Sequence, residues 1–310
     1  MNDQMIHDWP EDYRAGFISI VGRPNAGKST LTNALVGTKI VITANQPETT
    51  RRVVRGIVQR DNGQLILVDT PGLHRPRTLL GERLNDMVRD SLEGVDAALM
   101  CLPADEKVGP GDRYLLRELA KAQVPIFAAV TKVDKVSRED LAHKLIEVSQ
   151  LHDFAEIVPV SAVAGEQVDL VGDVLLSHMP VSPPLYPRDA ITDESDEAMI
   201  AEFIREAALT DVRDELPHSI AVVVEEMIER EPRPGVKKQP LLDIHAHIFV
   251  ERPSQKGIII GRGGQRLRKV GQEARANIER LLGRRVFLDL HVKVAKDWQR
   301  DPKQLGRLGF

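Results

Sequence analysis

The sequence predicts two domains: an α/β domain on a mostly parallel, doubly wound sheet over residues 15–180, and a smaller α+β domain over residues 198–300. Three observations carry this. Apolar strand-like runs alternate with helical patterns up to about residue 178, as in a parallel sheet covered by helices on both faces. A stretch with Pro180, Pro183, Pro184 and Pro187 then leads into the acidic residues Asp193, Glu194, Asp196 and Glu197. Proline fixes φ and removes N–H donors, so residues 181–197 read as a stiff linker. Beyond it the charge balance inverts: residues 251–310 hold 15 Lys or Arg against 6 Asp or Glu, in a chain whose net charge is −4.

The first strand, Phe17 to Val21, runs into Gly22-Arg23-Pro24-Asn25-Ala26-Gly27-Lys28-Ser29, followed by Thr30 and a helical pattern through Leu31, Ala34 and Leu35. Such a strand–loop–helix aims backbone N–H groups at phosphates. The helix N-terminus adds its positive dipole end. Lys28 can reach the β/γ-phosphates and the Ser29 hydroxyl can hold Mg²⁺. A nucleoside triphosphate is the implied ligand.

Three further strand ends select the base. Leu65 to Val68 lead into Asp69-Thr70-Pro71-Gly72, where the aspartate can hold Mg²⁺ through water and the glycine N–H can meet a γ-phosphate. Pro125 to Val130 lead into Thr131-Lys132-Val133-Asp134. A carboxylate at Asp134 accepts two hydrogen bonds from the N1–H and exocyclic amine of guanine, a pair adenine lacks, while Lys132 lays its stem along the base. Ile157 to Val160 deliver Ser161-Ala162, whose backbone can bond the guanine O6. Four loops in this order, each at the carboxyl end of a strand, specify guanine. Helices are expected near 80–91, 111–121, 138–150 and 166–178.

These four segments resemble the G1, G3, G4 and G5 motifs of the translation-factor-related P-loop GTPases. Glu48-Thr49-Thr50-Arg51-Arg52 falls between the first two, where that class keeps switch I. The resemblance implies that Thr49 or Thr50 coordinates Mg²⁺ beside Ser29 and Asp69 and senses the γ-phosphate; the sequence does not choose between them. It makes Lys28, Asn25 and Thr50 the expected catalytic residues. Two positions depart from the common pattern. Thr131 replaces the usual Asn of N-K-x-D, and Leu73 stands where Ras-like enzymes place the glutamine that orients water. In the branch with an apolar residue there, an Asn at the position of Asn25 helps bind K⁺ near the phosphates, so K⁺ is the second cofactor the resemblance implies. The alternative for Asn25 is a turn residue that tolerates a left-handed backbone.

In the second domain a helix around Met199, Phe203, Ile204 and Ala207 precedes strand-like Ile220 to Ile228, a Pro-Gly loop over 231–240, and an alternating strand from Leu242 to Val250. Lys256-Gly257-Ile258-Ile259-Ile260 then meets Gly261-Arg262-Gly263-Gly264, a basic helix from Gln265 to Leu282, and a last strand from Val286 to Val294. The G-x-x-G tetrapeptide between an Ile-rich helix and Arg266, Arg268 and Lys269 resembles the loop of a KH domain, and the helix-first order resembles its type II form. Glycines there admit a nucleic-acid backbone, and the adjoining groove takes about four nucleotides. With few aromatics, single-strand binding is expected to use backbone contacts and base-edge hydrogen bonds rather than extensive stacking. His245 and His247 share a strand face, with no acid cluster in the sequence to suggest a metal.

A guanine-nucleotide domain followed by a type II KH domain resembles the Era branch of the TrmE-Era-EngA-YihA-Septin-like GTPases, over about residues 15–300. The resemblance implies a bacterial ribosome-assembly GTPase that hydrolyses GTP to GDP. Its KH domain would bind the 3′ end of 16S rRNA in 30S assembly, with nucleotide state controlling RNA binding. The alternative is a membrane-associated regulatory GTPase whose basic end binds anionic lipid. No apolar run approaches the roughly 18 residues needed to span a bilayer, and the polar N-terminus is unlike a secretory signal. The single cysteine, Cys101, lies in an apolar strand and reads as a buried thiol in a reducing compartment. A cytoplasmic monomer is expected, with peripheral contact at the inner face of the membrane under the alternative.

Overall fold

The computed structural model describes residues 9–43, 50–72, 78–210, 212, 216, 219–230 and 241–310. The chain forms two compact units: of the described residues, the first takes 9–43, 50–72 and 84–193, and the second takes 194–310 together with 78–83, the first residues of the helix that continues into the first unit.

The first unit holds β1 (Arg14–Val21), α1 (Lys28–Val36), β2 (Val54–Arg60), β3 (Gly63–Asp69), α2 (Leu79–Asp90), β4 (Ala97–Pro103), α3 (Pro110–Leu119), β5 (Ile126–Thr131), α4 (Arg138–Ser149), β6 (Ile157–Pro159) and α5 (Val168–Ser177). Its six strands lie in the order β2-β3-β1-β4-β5-β6, all parallel to their neighbours except β2. β3 and β4 are buried along their whole length, and so read as continuous apolar runs rather than alternating ones. On one face, Leu31 and Leu35 of α1 and Val171 and Leu175 of α5 pack with Ile18, Ile20, Leu65, Leu67 and Cys101. On the other, Leu115 and Leu119 of α3 and Val148 of α4 pack with Val21, Met100 and Ala128. Helices on both faces make the sheet doubly wound, as the sequence predicts. β1 is the strand from which the order runs outward in both directions, and ligands bind at the carboxyl ends beside such a switch point.

The proline-rich stretch is attached to this unit as far as Asp193. Buried Gln64 of β3 accepts from the backbone N–H groups of Leu185 and Tyr186 (both 2.9 Å) and donates to the Tyr186 carbonyl (3.0 Å). Farther on, Ile57 N–H donates to Ile191 O (2.9 Å) and Gly56 bridges to Thr192, so the segment lies along the edge of β2. Arg55 and Asp193 close it with an ion pair at 2.9 Å.

The second unit holds α6 (Asp196–Leu209), β7 (Ala221–Arg230), β8 (Leu241–Val250), α7 (Pro253–Ile260), α8 (Gln265–Leu282), β9 (Val286–Val294) and α9 (Pro302–Arg307). Ser195 caps α6 by accepting from Ala198 N–H, satisfying one orphan donor of the first turn. β8 pairs antiparallel with β7 and parallel with β9, which is an edge strand. Along β8, Leu242, Ile244, Ala246 and Ile248 are buried, while Asp243, His245 and His247 are half-exposed on the opposite face. The unit extends beyond residue 300. Trp298 is fully buried, donates Nε1–H to Ser219 O (3.0 Å), and stacks on Phe310 with ring centroids 5.6 Å apart.

Carboxylates do converge on the two strand histidines. His245 lies 3.3 Å from Asp289, and His247 pairs with Glu225 at 2.5 Å. Among the described residues no group of three or more His, Cys, Asp or Glu is placed to hold a metal ion. These contacts are cross-strand hydrogen-bonding pairs on a sheet face.

Candidate functional site: a phosphate loop and a glycine-loop groove

The nucleotide site assembles at the carboxyl ends of β1, β3, β5 and β6. Between β1 and α1 the chain reverses through Asn25 at φ 62° and Gly27 at φ 89°, both left-handed. Asn25 therefore holds the turn position its type tolerates. Lys28, 6% exposed, donates its ammonium to Gly22 O (3.1 Å) and Arg23 O (3.3 Å). Burial lowers its pKa, and the neighbouring Asp69 carboxylate opposes that. The Ser29 hydroxyl lies 2.9 Å from Thr50 Oγ1 and donates to Asp69 Oδ2 at 2.9 Å. Of the two candidate threonines, Thr50 is among the described residues, and it stands at Ser29. Glu48, Thr49 and Leu73 lie outside the described residues.

Asp69 is completely buried, and burial pushes its carboxyl up to about 6, with Lys28, Ser29 and Thr70 pulling the other way. Its Oδ1 has no hydrogen-bond partner among the described residues. A buried acceptor without a partner is costly. Beside two hydroxyl oxygens it is a hard oxygen donor of the kind Mg²⁺ prefers. The residues present therefore fit that ion. Thr70 braces the site by donating from Oγ1 to Ile20 O (2.9 Å), and Gly72 lies against Pro24, where an added Cβ would stand 3.0 Å from its nitrogen and Cγ.

The base side is tied to the phosphate side by the residue that departs from the usual motif. Thr131 is buried and donates Oγ1–H to Ala26 O in the phosphate loop at 2.7 Å. The hydroxyl thus supplies a brace between the loops. Lys132 adopts φ 58°, its ammonium 3.6 Å from Asp105 and 3.5 Å from Glu106. Glu106 and Asp112 also hold Arg23 (3.0 and 2.8 Å), which turns that guanidinium toward α3. Exposed Asp134 accepts from Ser161 Oγ (2.5 Å), and Ala162 follows at the same strand end. Arg51 is buried and Arg52 half-buried just after Thr50.

In the second unit the turn between α7 and α8 holds Gly261, Gly263 and Gly264, at φ 69°, 58° and 75°. Gly261 combines its φ with ψ 176°, a conformation open essentially to glycine alone. Arg262 is exposed at the tip and Lys256 is half-buried on α7. Arg268 and Lys269 are exposed on the first turns of α8, the latter 3.8 Å from Glu273. Arg266 turns back to donate to Thr210 O (2.8 Å), so its guanidinium serves the end of α6.

A groove of about 440 Å³ opens between α8 and β9, with Gly264, Arg268, Gly271 and Arg275 on the helix side and Phe287, Leu288 and Leu290 on the strand side. Sequence reasoning missed the strand wall. The signal was available in the apolar residues of β9 at successive positions on both faces, which a strand with one buried face does not need. Phe287, 47% exposed, carries the Arg230 guanidinium 5.4 Å from its ring centre, so one aromatic does stand at this site.

Fold and site together define a guanine-nucleotide-binding P-loop GTPase domain joined to a KH domain. Residues 17–132 match the family described as 50S ribosome-binding GTPase, and residues 215–299 match the KH domain family. GTPase Era of Streptomyces coelicolor is 64% identical over 304 residues, covering 96% of this chain and 95% of that protein. GTPase Era of Mycobacterium avium is 60% identical, covering 96% and 99%. Among solved structures, Era in complex with MgGDPNP and nucleotides 1506–1542 of 16S ribosomal RNA superposes with a TM-score of 0.91 at 36% identity, covering 96% of this chain and 99% of that one. A point-substituted variant of Aquifex aeolicus Era bound to GDP·AlF4⁻ gives 0.90, also at 36% identity with the same coverage. The chain belongs to the Era family of GTPases, and its reaction is GTP hydrolysis.

Proposed function

We propose that this GTPase binds the single-stranded 3′ end of 16S rRNA through its KH groove during 30S assembly, with the bound nucleotide controlling RNA affinity. The observation that carries the reading is the glycine loop opening into a groove rimmed by Arg268 and Arg275. Three left-handed glycines allow a sugar-phosphate backbone to approach the chain there, and the groove beside them takes bases. The Era complex with 16S rRNA nucleotides supports the choice of RNA.

Hydrolysis follows from positioning and charge. Mg²⁺, when bound, neutralises charge on the β- and γ-phosphates; Ser29, Thr50 and Asp69 are the residues that would hold it. Lys28 exchanges two carbonyl partners for phosphate oxygens, a charge-assisted contact that is stronger than either. Gly72 senses the γ-phosphate. Asn25 adds a carbonyl oxygen that K⁺ would use, and replacing K⁺ by Na⁺ in a turnover assay tests that role. Coupling to RNA runs through the switch segment into β2 and the stretch docked on its edge. Replacing Pro183 and Pro184 by Gly is expected to blunt the nucleotide dependence of RNA affinity. The protein acts as a cytoplasmic monomer.

Crosslinking to total ribosomal RNA, with GDP and a non-hydrolysable GTP analogue side by side, tests the whole reading. GTP-favoured crosslinks from residues 261–269 to the 16S 3′ end support it. No RNA crosslink in either state refutes RNA binding and directs the basic region to anionic lipid; no helix of the described residues is long and apolar enough to cross a membrane.

A further inference from the structure

Gly271 lies seven residues into the 18-residue helix α8, where glycine is the poorest ordinary helix former. Packing does not demand it. A Cβ added there would meet only Leu290 Cδ1, at 3.7 Å, an ordinary van der Waals distance. Its φ is helical, so no backbone strain demands glycine either. The helix therefore gives up stability at a position where its own fold would accept alanine.

What the missing side chain leaves is space. Gly271 lines the groove, one helical turn from Leu267 on one side and Arg275 on the other, facing Leu288 and Leu290 of β9. Leu267, Leu288 and Leu290 are each only half-buried, an apolar lining left partly open to water. Arg268 and Arg275 are exposed at the rim, seven residues apart on the same helical face, with exposed Gln272 between them. A slot with an apolar floor, a bare helical backbone on one wall and two cations at its mouth suits a flat heterocycle attached to a phosphodiester chain. An apolar peptide would leave the two guanidinium groups without counter-charges.

Resting on the RNA-binding reading above, we infer that Gly271 is the residue that admits a nucleobase into the KH groove: one base of the bound strand lies against the α8 backbone at Gly271, over Leu288 and Leu290, while Arg268 and Arg275 take flanking phosphates. Gly271 is thereby a size filter for the base step rather than a structural glycine.

The filter and the fold respond to substitution with opposite signs, which makes the inference testable in the full-length protein. Gly271→Ala and Gly271→Met would be compared with wild type by thermal denaturation, GTP turnover without RNA, and fluorescence anisotropy with a 12-nucleotide RNA copying the 16S 3′ end. The expected result is a thermal midpoint equal to or above that of wild type and unchanged turnover. RNA affinity should fall about tenfold in Gly271→Met and by less in Gly271→Ala, as for the loss of one base contact. The slope of log affinity against log salt should stay at the wild-type value in both, because no phosphate contact is touched. Arg268→Gln should instead lower that slope by about 1. Wild-type RNA affinity in a stably folded Gly271→Met overturns the inference and leaves the RNA-binding reading intact. If Gly271→Met does not fold, undiminished affinity in Gly271→Ala with an unchanged salt slope overturns it. A wild-type protein that fails to bind the RNA overturns both.

Discussion

Replacing Thr131 by Val removes one oxygen and tests the brace between the base and phosphate loops. The hydroxyl donates to Ala26 O over 2.7 Å between two buried residues. Valine puts a methyl where the hydroxyl stood, and a carbon needs about 3.3 Å or more from a carbonyl oxygen. The loops must therefore separate by roughly 0.6 Å, and the Ala26 carbonyl is left buried without this donor. An unpaired buried acceptor costs about 1–3 kcal/mol. The bond joins two groups of the protein itself, so most of that cost should appear as lost stability, about 2 kcal/mol in urea denaturation. Any part released into the bound state weakens guanine nucleotides, with a ceiling near 30-fold if all of it does. Displacement of a fluorescent GDP analogue reads that part. Thr131→Ser keeps the donor and should stay close to wild type in both assays. If valine changes neither quantity, or serine is as damaging as valine, the hydroxyl is not the brace described.

Three further outcomes are expected. Asp69, held at about 6 against an ordinary 3.8, binds its proton more tightly folded than unfolded, so the stability it contributes is full below pH 3.8 and is lost as pH rises through 6. About 3 kcal/mol is at stake, urea denaturation of the ligand-free protein across that range should show it, and Asp69→Asn should flatten the profile. Mg²⁺-dependent nucleotide affinity should move the opposite way, rising with pH through 6, since the ion requires the carboxylate. Gly261→Ala should destabilise the second unit by about 1–3 kcal/mol, because it forces a side chain into a glycine-only conformation and places a Cβ 2.7 Å from that of Arg266; a two-step thermal melt with an unmoved first step would show it. Gln64→Ala removes three hydrogen bonds to residues 185–186 and should raise amide exchange across 185–192, whereas unchanged protection there would mean that the β2-edge contacts hold the segment without Gln64.

Legibility in the sequence followed the physics of each part. The phosphate loop, Asp69, Asp134 and Ser161 were readable because each sits where an apolar strand ends, and α8 and β9 have the bounds their patterns predict. β2 went unread: Val54–Arg60 is an antiparallel edge strand with an exposed arginine and a glycine, and its pairing with β3 is set by the sheet. Proline count made residues 181–193 look detached, since the partners that fix them, Gln64 and the β2 edge, lie more than 100 positions away. The second groove wall was hidden for a related reason. The apolar residues on both faces of β9 hinted at it, but which edge of a three-stranded sheet stays open depends on strand order, which that pattern does not give. Arg266 was read as part of a basic cluster, while its carbonyl partner belongs to a helix more than 50 residues earlier.

The docking of residues 187–193 along β2 also determines where this chain can be cut. β2 is an outer strand, and an outer strand stripped of its cover offers bare N–H and C=O groups to any other chain. A GTPase fragment ending at Met179 would carry that sticky border, together with the uncovered amide of Gln64. One ending at Asp193 keeps its own selvedge, and is the piece expected to stay monodisperse on a sizing column.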